Sequence, residues 1–135
     1  MKKTLLSIAL IAILLIGLVT LTGCGDQTEE ATVIQVPMTV MNLYPNCTIT
    51  ELYISGAGLD TWGEDLLGSQ VMPTGTQIQL NFNIDKNNVK WDIKAVDENK
   101  TEVVFSGLDL SNVSTSGGTI TLTSDESGNP IAVAE

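Results

Sequence analysis

The stretch that decides the fold is residues 77–95, QIQLNFNIDKNNVKWDIKA, which alternates apolar and polar side chains on either side of a polar turn. In its first half, Ile78, Leu80, Phe82 and Ile84 interleave with amide side chains. Successive side chains of a strand point to opposite faces of a sheet. This alternation therefore predicts a strand that buries one face.

The second half of the stretch repeats the alternation. Its apolar members are Val89, Trp91, Ile93 and Ala95. Residues 85–88, DKNN, favour a turn because Asp and Asn side chains bond their own backbone. We therefore predict a hairpin, followed by a second turn at residues 97–100 and a third strand at residues 102–105. The three consecutive strands are predicted to form a meander.

Further strands are expected on both sides of this meander. Upstream, residues 34–43 and 48–55 alternate in the same way, and Pro37 favours an edge position because proline cannot donate to a sheet ladder. Downstream, residues 119–123 and 131–133 flank a turn cluster. Outside the N-terminal stretch, no long segment has a helical period, so the crossover helices of a parallel sheet are missing. We predict an all-β, antiparallel two-sheet β-sandwich of about seven strands.

One long loop, residues 56–72, interrupts the strand pattern. We expect a single helical turn in it, because Thr61 and Glu64 have capping-box spacing and Gly68 could end the turn. Its apolar side chains, expected to close one open end of the sandwich, are Trp62, Leu66 and Leu67.

The N-terminal segment is typical of an export signal. Two lysines precede an uncharged run, residues 5–21, which ends in the tetrapeptide LTGC at residues 21–24. This tetrapeptide resembles the lipobox of bacterial lipoproteins, a family in which the cysteine thiol receives a diacylglyceryl group and becomes the first mature residue. The resemblance implies that Cys24 is lipidated.

The predicted organisation follows from that processing. It comprises a signal peptide at residues 1–23, an acidic flexible tether at residues 24–32 and the β-sandwich domain at residues 33–135. The predicted location is the bacterial cell envelope, with the membrane as a partner through the lipid on Cys24. By analogy with lipoprotein sorting, Gly25 favours the outer membrane in a cell with two membranes. The alternatives are cleavage without lipidation and an uncleaved anchor, since the apolar run is at the short edge of the ~17–25 residues that span a bilayer.

Composition restricts the function. The 135 residues include 6 Lys or Arg, 16 Asp or Glu and no His, for a formal net charge of −10. Such an acidic chain lacks the basic footprint of a nucleic-acid binder, so we predict no nucleic acid among its partners. Without His, and with Cys24 lipidated, ligands for zinc or haem are lacking, and we expect no cofactor. Cys47 is expected to be a small buried residue, with intermolecular pairing as the alternative.

A second resemblance covers roughly residues 40–110. In order along the chain, its motifs are LYIS at 52–55, WGEDLLG at 62–68, PTG at 73–75 and WDIKAVD at 91–97. Together they are similar to a small β-rich domain that recurs in exported bacterial proteins and has no established activity. The resemblance implies fold and export, and supplies no catalytic residue. Lys94 stands where that family often has Arg, which weakens the case for a bidentate anion site.

These features lead to three functional hypotheses. The first is a membrane-anchored envelope lipoprotein, not an enzyme, whose β-sandwich is a binding or structural module for an envelope protein or a polysaccharide. The second is a carbohydrate-binding module that uses the exposed aromatic residues Trp62 and Tyr53, since flat rings stack on sugars. The third is a calcium-binding adhesion-type domain, because carboxylates from loops can ligate calcium. The carboxylates considered for it are Asp60, Glu64, Asp65 and Asp97.

Overall fold

The structure, a computed structural model, describes residues 32–135, so the predicted signal peptide, Cys24 and the tether before Thr32 lie outside the described residues. Within this range the chain forms seven strands and no helix. The strands are β1 Val33–Asn42, β2 Ile49–Gly56, β3 Thr76–Asp85, β4 Lys90–Asp97, β5 Glu102–Asp109, β6 Gly118–Ser124 and β7 Pro130–Ala134. The predicted all-β class and strand number are confirmed.

The strands form two sheets, a four-stranded sheet in the order β3-β1-β6-β7 and a three-stranded sheet in the order β2-β4-β5. The β1–β3 pair is antiparallel and keeps its register over all of β1, without a bulge. The β1–β6 pair is parallel, so the prediction of wholly antiparallel sheets is wrong at this position. A parallel pair needs a long connection. Here the entire three-stranded sheet lies in the chain between β1 and β6.

One hydrophobic core takes side chains from both sheets. The four-stranded sheet contributes Met38, Val40, Phe82, Ile120 and Leu122, and the three-stranded sheet contributes Leu52, Ile93, Phe105 and Leu108. Each of these side chains is at most 1% exposed. Burying a side chain of this size stabilises the fold by about 1.5–3 kcal/mol relative to leaving it in water. The core therefore fixes which face of every strand points inward.

The predicted hairpin at residues 85–88 is wrong, and with it the three-stranded meander. β3 belongs to the four-stranded sheet and β4 to the three-stranded sheet, so this turn carries the chain from one sheet to the other. The turn chemistry itself is as predicted, because Asp85 accepts hydrogen bonds from the backbone N–H groups of Asn87 and Asn88. Turn residues do not specify whether the flanking strands pair. The hairpin between β4 and β5 is confirmed.

Pro37 does not mark an edge strand, since β1 lies inside the four-stranded sheet. Its ladder with β6 begins only at Met38, one residue later. The carbonyl oxygen of Pro37 faces the β6 side, where a Cβ added to Gly117 would collide with it. N and C=O of one strand residue point to the same side. The missing N–H of Pro37 therefore falls where no ladder bond is made, and this makes proline acceptable in an interior strand.

The helical turn predicted around Thr61 is absent from residues 57–71. The hydroxyl of Thr61 bonds the carbonyl of Leu59 instead of capping a helix. The segment that follows lies along the outer edge of β2, where Leu66 N–H donates to the carbonyl of Leu52 at 2.8 Å. Pairing with a free sheet edge satisfies more backbone groups than one isolated turn would. Of the three apolar side chains of this loop, Leu67 is buried as expected, at 2% exposure, and Leu66 packs against the core. Trp62 does not join the core as expected, because its ring packs on Lys94 instead.

Candidate functional site

The two aromatic residues proposed from the sequence, Tyr53 and Trp62, lie around one lysine on the outward face of the three-stranded sheet. Both are half-buried and not exposed as predicted, because the lysine packs against both rings. The ammonium nitrogen of Lys94 is 5.1 Å from the centroid of each ring. We call these three residues the Lys94 cluster. An ammonium ion over an aromatic face is attracted by the ring quadrupole, by about 0.5–2 kcal/mol for each ring. The cluster thus combines Trp62 from a loop with Tyr53 on β2 and Lys94 on β4.

Strand pairing explains why Tyr53 and Lys94 meet. Tyr53 on β2 is directly opposite Lys94 on β4, and Lys94 is opposite Val104 on β5. The neighbours Leu52 and Ile93 are fully buried, so alternation turns this row of side chains outward. Cross-strand pairs on one face lie within contact distance. Strand pairing alone therefore brings two of the three cluster residues, Tyr53 and Lys94, together.

The loop between β2 and β3 supplies Trp62, and polar contacts hold this loop in place. The carboxylate of Asp92 on β4 accepts hydrogen bonds from the N–H groups of Gly58 and Gly107, at 3.0 and 2.9 Å. The hydroxyl oxygen of Ser55 accepts one from the N–H of Thr61 at 3.1 Å. The two bonds to the Asp92 carboxylate are charge-assisted, and such bonds are among the stronger ones in proteins. Asp92 therefore ties the loop to both β4 and β5.

Carboxylates surround the Lys94 cluster. Tyr53 donates its phenolic hydrogen to Glu51 at 2.6 Å, and Lys100 donates to the other oxygen of Glu51 at 2.7 Å. Glu102 forms a longer ion pair, 3.4 Å, with Lys94. The ammonium of Lys94 is thus flanked by two rings and one carboxylate, and its side chain is only 17% exposed.

These contacts shift the protonation of three groups. The hydrogen bonds from Lys100 and Tyr53 lower the pKa of Glu51. The hydrogen bond to Glu51 is the main cause that raises the pKa of Tyr53 to about 12. The same carboxylate raises the pKa of Lys100. At neutral pH the site therefore holds an ionised Glu51 between a neutral phenol and a cation.

A cleft of about 430 Å³ adjoins the cluster, since it is lined by Thr61 and Gly63, the two chain neighbours of Trp62. Trp91, Thr61, Glu64 and Asn83 line it, together with Ile54 and Leu66. This size is within the range of small-ligand sites. Trp91, predicted as a core residue, is half-buried, packs against the core and donates its indole N–H to the carbonyl of Asn88 at 2.7 Å. The cleft combines an aromatic side chain with hydroxyl, amide and carboxylate groups.

The four carboxylates considered for calcium are not brought together. Asp65 accepts hydrogen bonds from the backbone of Leu52 and Leu67, and Asp97 accepts them from the β4–β5 turn. Asp60 and Glu64 are exposed. Between Thr32 and Glu135, no group of three or more His, Cys, Asp or Glu side chains is arranged to hold a metal ion. No observation in the described domain favours the calcium hypothesis.

Sequence reasoning missed three residues of the site: Glu51, Asp92 and, as a cluster member, Lys94. Each is on a strand position that alternation correctly turns away from the core. The missing signal was the pairing of β2 with β4, which places Tyr53 against Lys94. Cys47 is free and 6% exposed, and burial is the main cause that raises the pKa of its thiol.

Comparisons with known proteins add little to this description. No protein-family model matches the chain, and no curated protein does. A similar solved structure is the NMR structure of a protein from Eubacterium rectale, with 11% identity and a TM-score of 0.44 over 73% of this chain and 85% of that chain. A likeness of this extent carries no argument about function. Residues 32–135 contain no helix with the length and apolar character of a membrane span.

Proposed function

We propose that this chain is a lipid-anchored lipoprotein of the bacterial envelope, whose two sheets face each other as a β-sandwich and serve as a binding module without catalysis. The observation that carries the proposal is the LTGC tetrapeptide at residues 21–24, directly after an uncharged run. The common core of the two sheets supports the sandwich, because both sheets bury one face in it.

The short tether determines how the domain would be presented. Extended, residues 25–32 cover at most about 28 Å, and as a coil roughly 15 Å. The tether contains Asp26, Glu29 and Glu30, which an anionic membrane surface repels. Two or three acyl chains hold a protein persistently on a bilayer. The domain would stay close to the membrane while being held off its surface.

The test of the anchor uses the two cysteines as a matched pair. The full chain is expressed in a bacterial host, extracted from membranes and analysed by intact-mass spectrometry. We expect a product that begins at an acylated Cys24. Cys24→Ser should abolish acylation, whereas Cys47→Ala should leave it unchanged. A native product that is unacylated, or that begins elsewhere, contradicts the proposal.

The second candidate function is carbohydrate binding at the Lys94 cluster and the adjoining cleft. The observation that favours it is the placement of Tyr53 and Trp62 around one ammonium, beside a cleft that contains Trp91 and polar groups. Rings offer flat apolar area, and amides, carboxylates and ammonium groups offer hydrogen bonds. These are the groups that a sugar ring with its hydroxyls can use.

Pull-down with insoluble polysaccharides tests this second function. We expect Trp62→Ala and Glu64→Ala to weaken retention of the chain, since they change the cluster and the cleft respectively. Val104→Ala, on the same outward face, serves as the control and should retain binding. Equal retention of all four proteins, or none of the parent chain, removes the carbohydrate hypothesis and leaves the anchor proposal untouched.

A further inference from the structure

The four edge strands of the two sheets are not protected equally. The outer edge of β2 is covered by the chain itself, through Leu66 bonded to Leu52 and through the bridge between Ile49 and Met72. On the opposite side, the edge strands β5 and β7 pack against each other. The remaining edge is that of β3, Thr76–Asp85.

The backbone direction along β3 can be derived from β1. Leu43 N–H bonds the carbonyl of Leu122 in β6, so odd-numbered residues of β1 direct their N–H and C=O toward β6 and even-numbered ones toward β3. The register has no shift and pairs even with even and odd with odd. The odd-numbered residues of β3 therefore direct their N–H and C=O groups outward. These residues are Gln77, Gln79, Asn81 and Asn83.

Within residues 32–135, β1 is the sole ladder partner of β3. The outward backbone groups of these four residues make no other backbone hydrogen bond within residues 32–135 and are open to another strand, with Asn83 also lining the cleft beside Glu64 and Leu66. An exposed row of this kind is a template for pairing, and natural proteins usually interrupt it with lysine, proline, a bulge or a covering loop. Between Gln77 and Ile84 the strand has no charged residue and no proline, and its register with β1 has no bulge.

We propose that the free edge of β3 pairs with β3 of a second copy of this chain, antiparallel about a two-fold axis at Leu80. This register places Gln77 opposite Asn83 of the second copy, and Gln79 opposite its Asn81. All four open residues then meet open residues. Any register shifted along the strand leaves one of them unpaired or brings Asp85 into the pairing.

Chemistry and charge both favour a second copy as the occupant. Carboxamides donate and accept, so rows of Asn and Gln are complementary to themselves. The chain is strongly acidic, with 16 Asp or Glu against 6 Lys or Arg, so most surfaces of two copies repel each other. The edge between Gln77 and Ile84 is uncharged and avoids that repulsion. Because both copies use the same edge, the interface closes as a dimer and does not propagate.

Disulfide crosslinking in membranes tests the register. All variants are made in the full chain with Cys47→Ala. Gln79→Cys combined with Asn81→Cys should yield a covalent dimer on mild oxidation, because these positions face each other across the axis. Thr121→Cys combined with Thr123→Cys, on the same outward face but in the interior strand β6, is the matched control and should remain monomeric. No dimer in the first variant, or equal dimer in both, overturns the proposal.

Light scattering of the full chain in detergent tests the edge itself. Asn81→Pro removes an outward N–H and no bond to β1, so the fold and the melting temperature should be retained. Because the dimer is two-fold symmetric, the substitution removes two intermolecular hydrogen bonds. The dissociation constant of the dimer should therefore rise about tenfold or more. Gln79→Lys should also weaken the dimer, whereas association driven by general charge would be strengthened by the added cation. A parent chain that is monomeric at all concentrations, or that crosslinks only to another protein, overturns the proposal.

Discussion

The two sheets differ in where charge is placed along their strands. The four strands of the four-stranded sheet contain a single charged residue, Asp85, at the end of β3. The strands of the three-stranded sheet, each 8 residues long, contain seven, among them Asp92 and Lys94. Both sheets bury one face in the same core, so the difference is confined to their outward surfaces. Because the core is shared, the outward faces of the two sheets are free to serve different interactions.

The largest effect on stability is expected from truncating a large core side chain in either sheet. Phe82→Ala and Phe105→Ala should each reduce the free energy of unfolding by about 3–5 kcal/mol. Phe105 should cost somewhat more, because Tyr44 packs edge-on against it with a centroid distance of 5.4 Å. Chemical denaturation followed by circular dichroism measures both. If the two sheets had separate cores, each variant would produce a second unfolding transition; a single transition is expected.

The next effect concerns the contact between β1 and the segment beside β2. Asn42 is fully buried, donates to the carbonyls of Cys47 and Met72 at 2.8 and 2.7 Å, and accepts from the N–H of Tyr44. Asn42→Ala leaves the N–H of Tyr44 without its partner and removes one of two donors from each carbonyl, since Ile49 N–H still bonds Met72 and the Thr74 hydroxyl still bonds Cys47. Stability should fall by about 1–3 kcal/mol. The exposed Asn112→Ala is the control, with an expected change within about 0.5 kcal/mol. Thermal melts that do not separate the two variants would show that water replaces the amide.

A smaller effect is expected on the charged face. Lys94→Met retains the length of the side chain and removes its charge, so stability should fall by about 1 kcal/mol and the fluorescence of Trp62 should change. Lys90→Met is the matched control on β4, since Lys90 pairs only with the exposed Asp109. Its stability should change by less than about 0.5 kcal/mol. Identical fluorescence spectra for the two variants would mean that Trp62 does not sense Lys94.

The smallest effect concerns alkaline pH, again on the charged face. The pKa of Tyr53 is raised to about 12, above the ordinary tyrosine value near 10, because Glu51 accepts its hydrogen bond. The stability from this bond is therefore fully present below about pH 10 and is lost as pH rises through about 12. Ultraviolet titration should show one phenol ionising late, and Glu51→Gln should bring its pKa down. If Tyr53 ionises near the ordinary tyrosine value in the parent chain, the Tyr53–Glu51 bond does not persist in solution.

Low pH should also reduce stability, through carboxyl groups whose pKa is lowered in the folded chain. Hydrogen bonds lower the pKa of Glu51, Asp97 and Asp125 in the folded chain. A group with a lowered folded pKa stabilises the fold above its unfolded value, near 4, and loses that contribution as pH falls through the folded value. Stability should thus decline below about pH 4, and Asp97→Asn should flatten that decline in a series of acid melts. An unchanged slope for this variant would exclude Asp97 as a contributor.

The sequence by itself determined the positions of the strands and the direction of their side chains. Alternation placed Leu80, Phe82 and Ile93 inward and Tyr53 outward, because a period of two depends only on neighbouring residues. It also located the turns at residues 85–88 and 97–100, which depend on local side-chain bonds.

Only the tertiary structure decided which strands pair. The turn after Asp85 is compatible with a hairpin and with a change of sheet, and Pro37 is compatible with an edge strand and with an interior strand whose second ladder starts one residue later. The meeting of Tyr53, Trp62 and Lys94 follows from those pairings. Pairing depends on how all seven strands share one core, and that is a property of the whole chain and of no single segment.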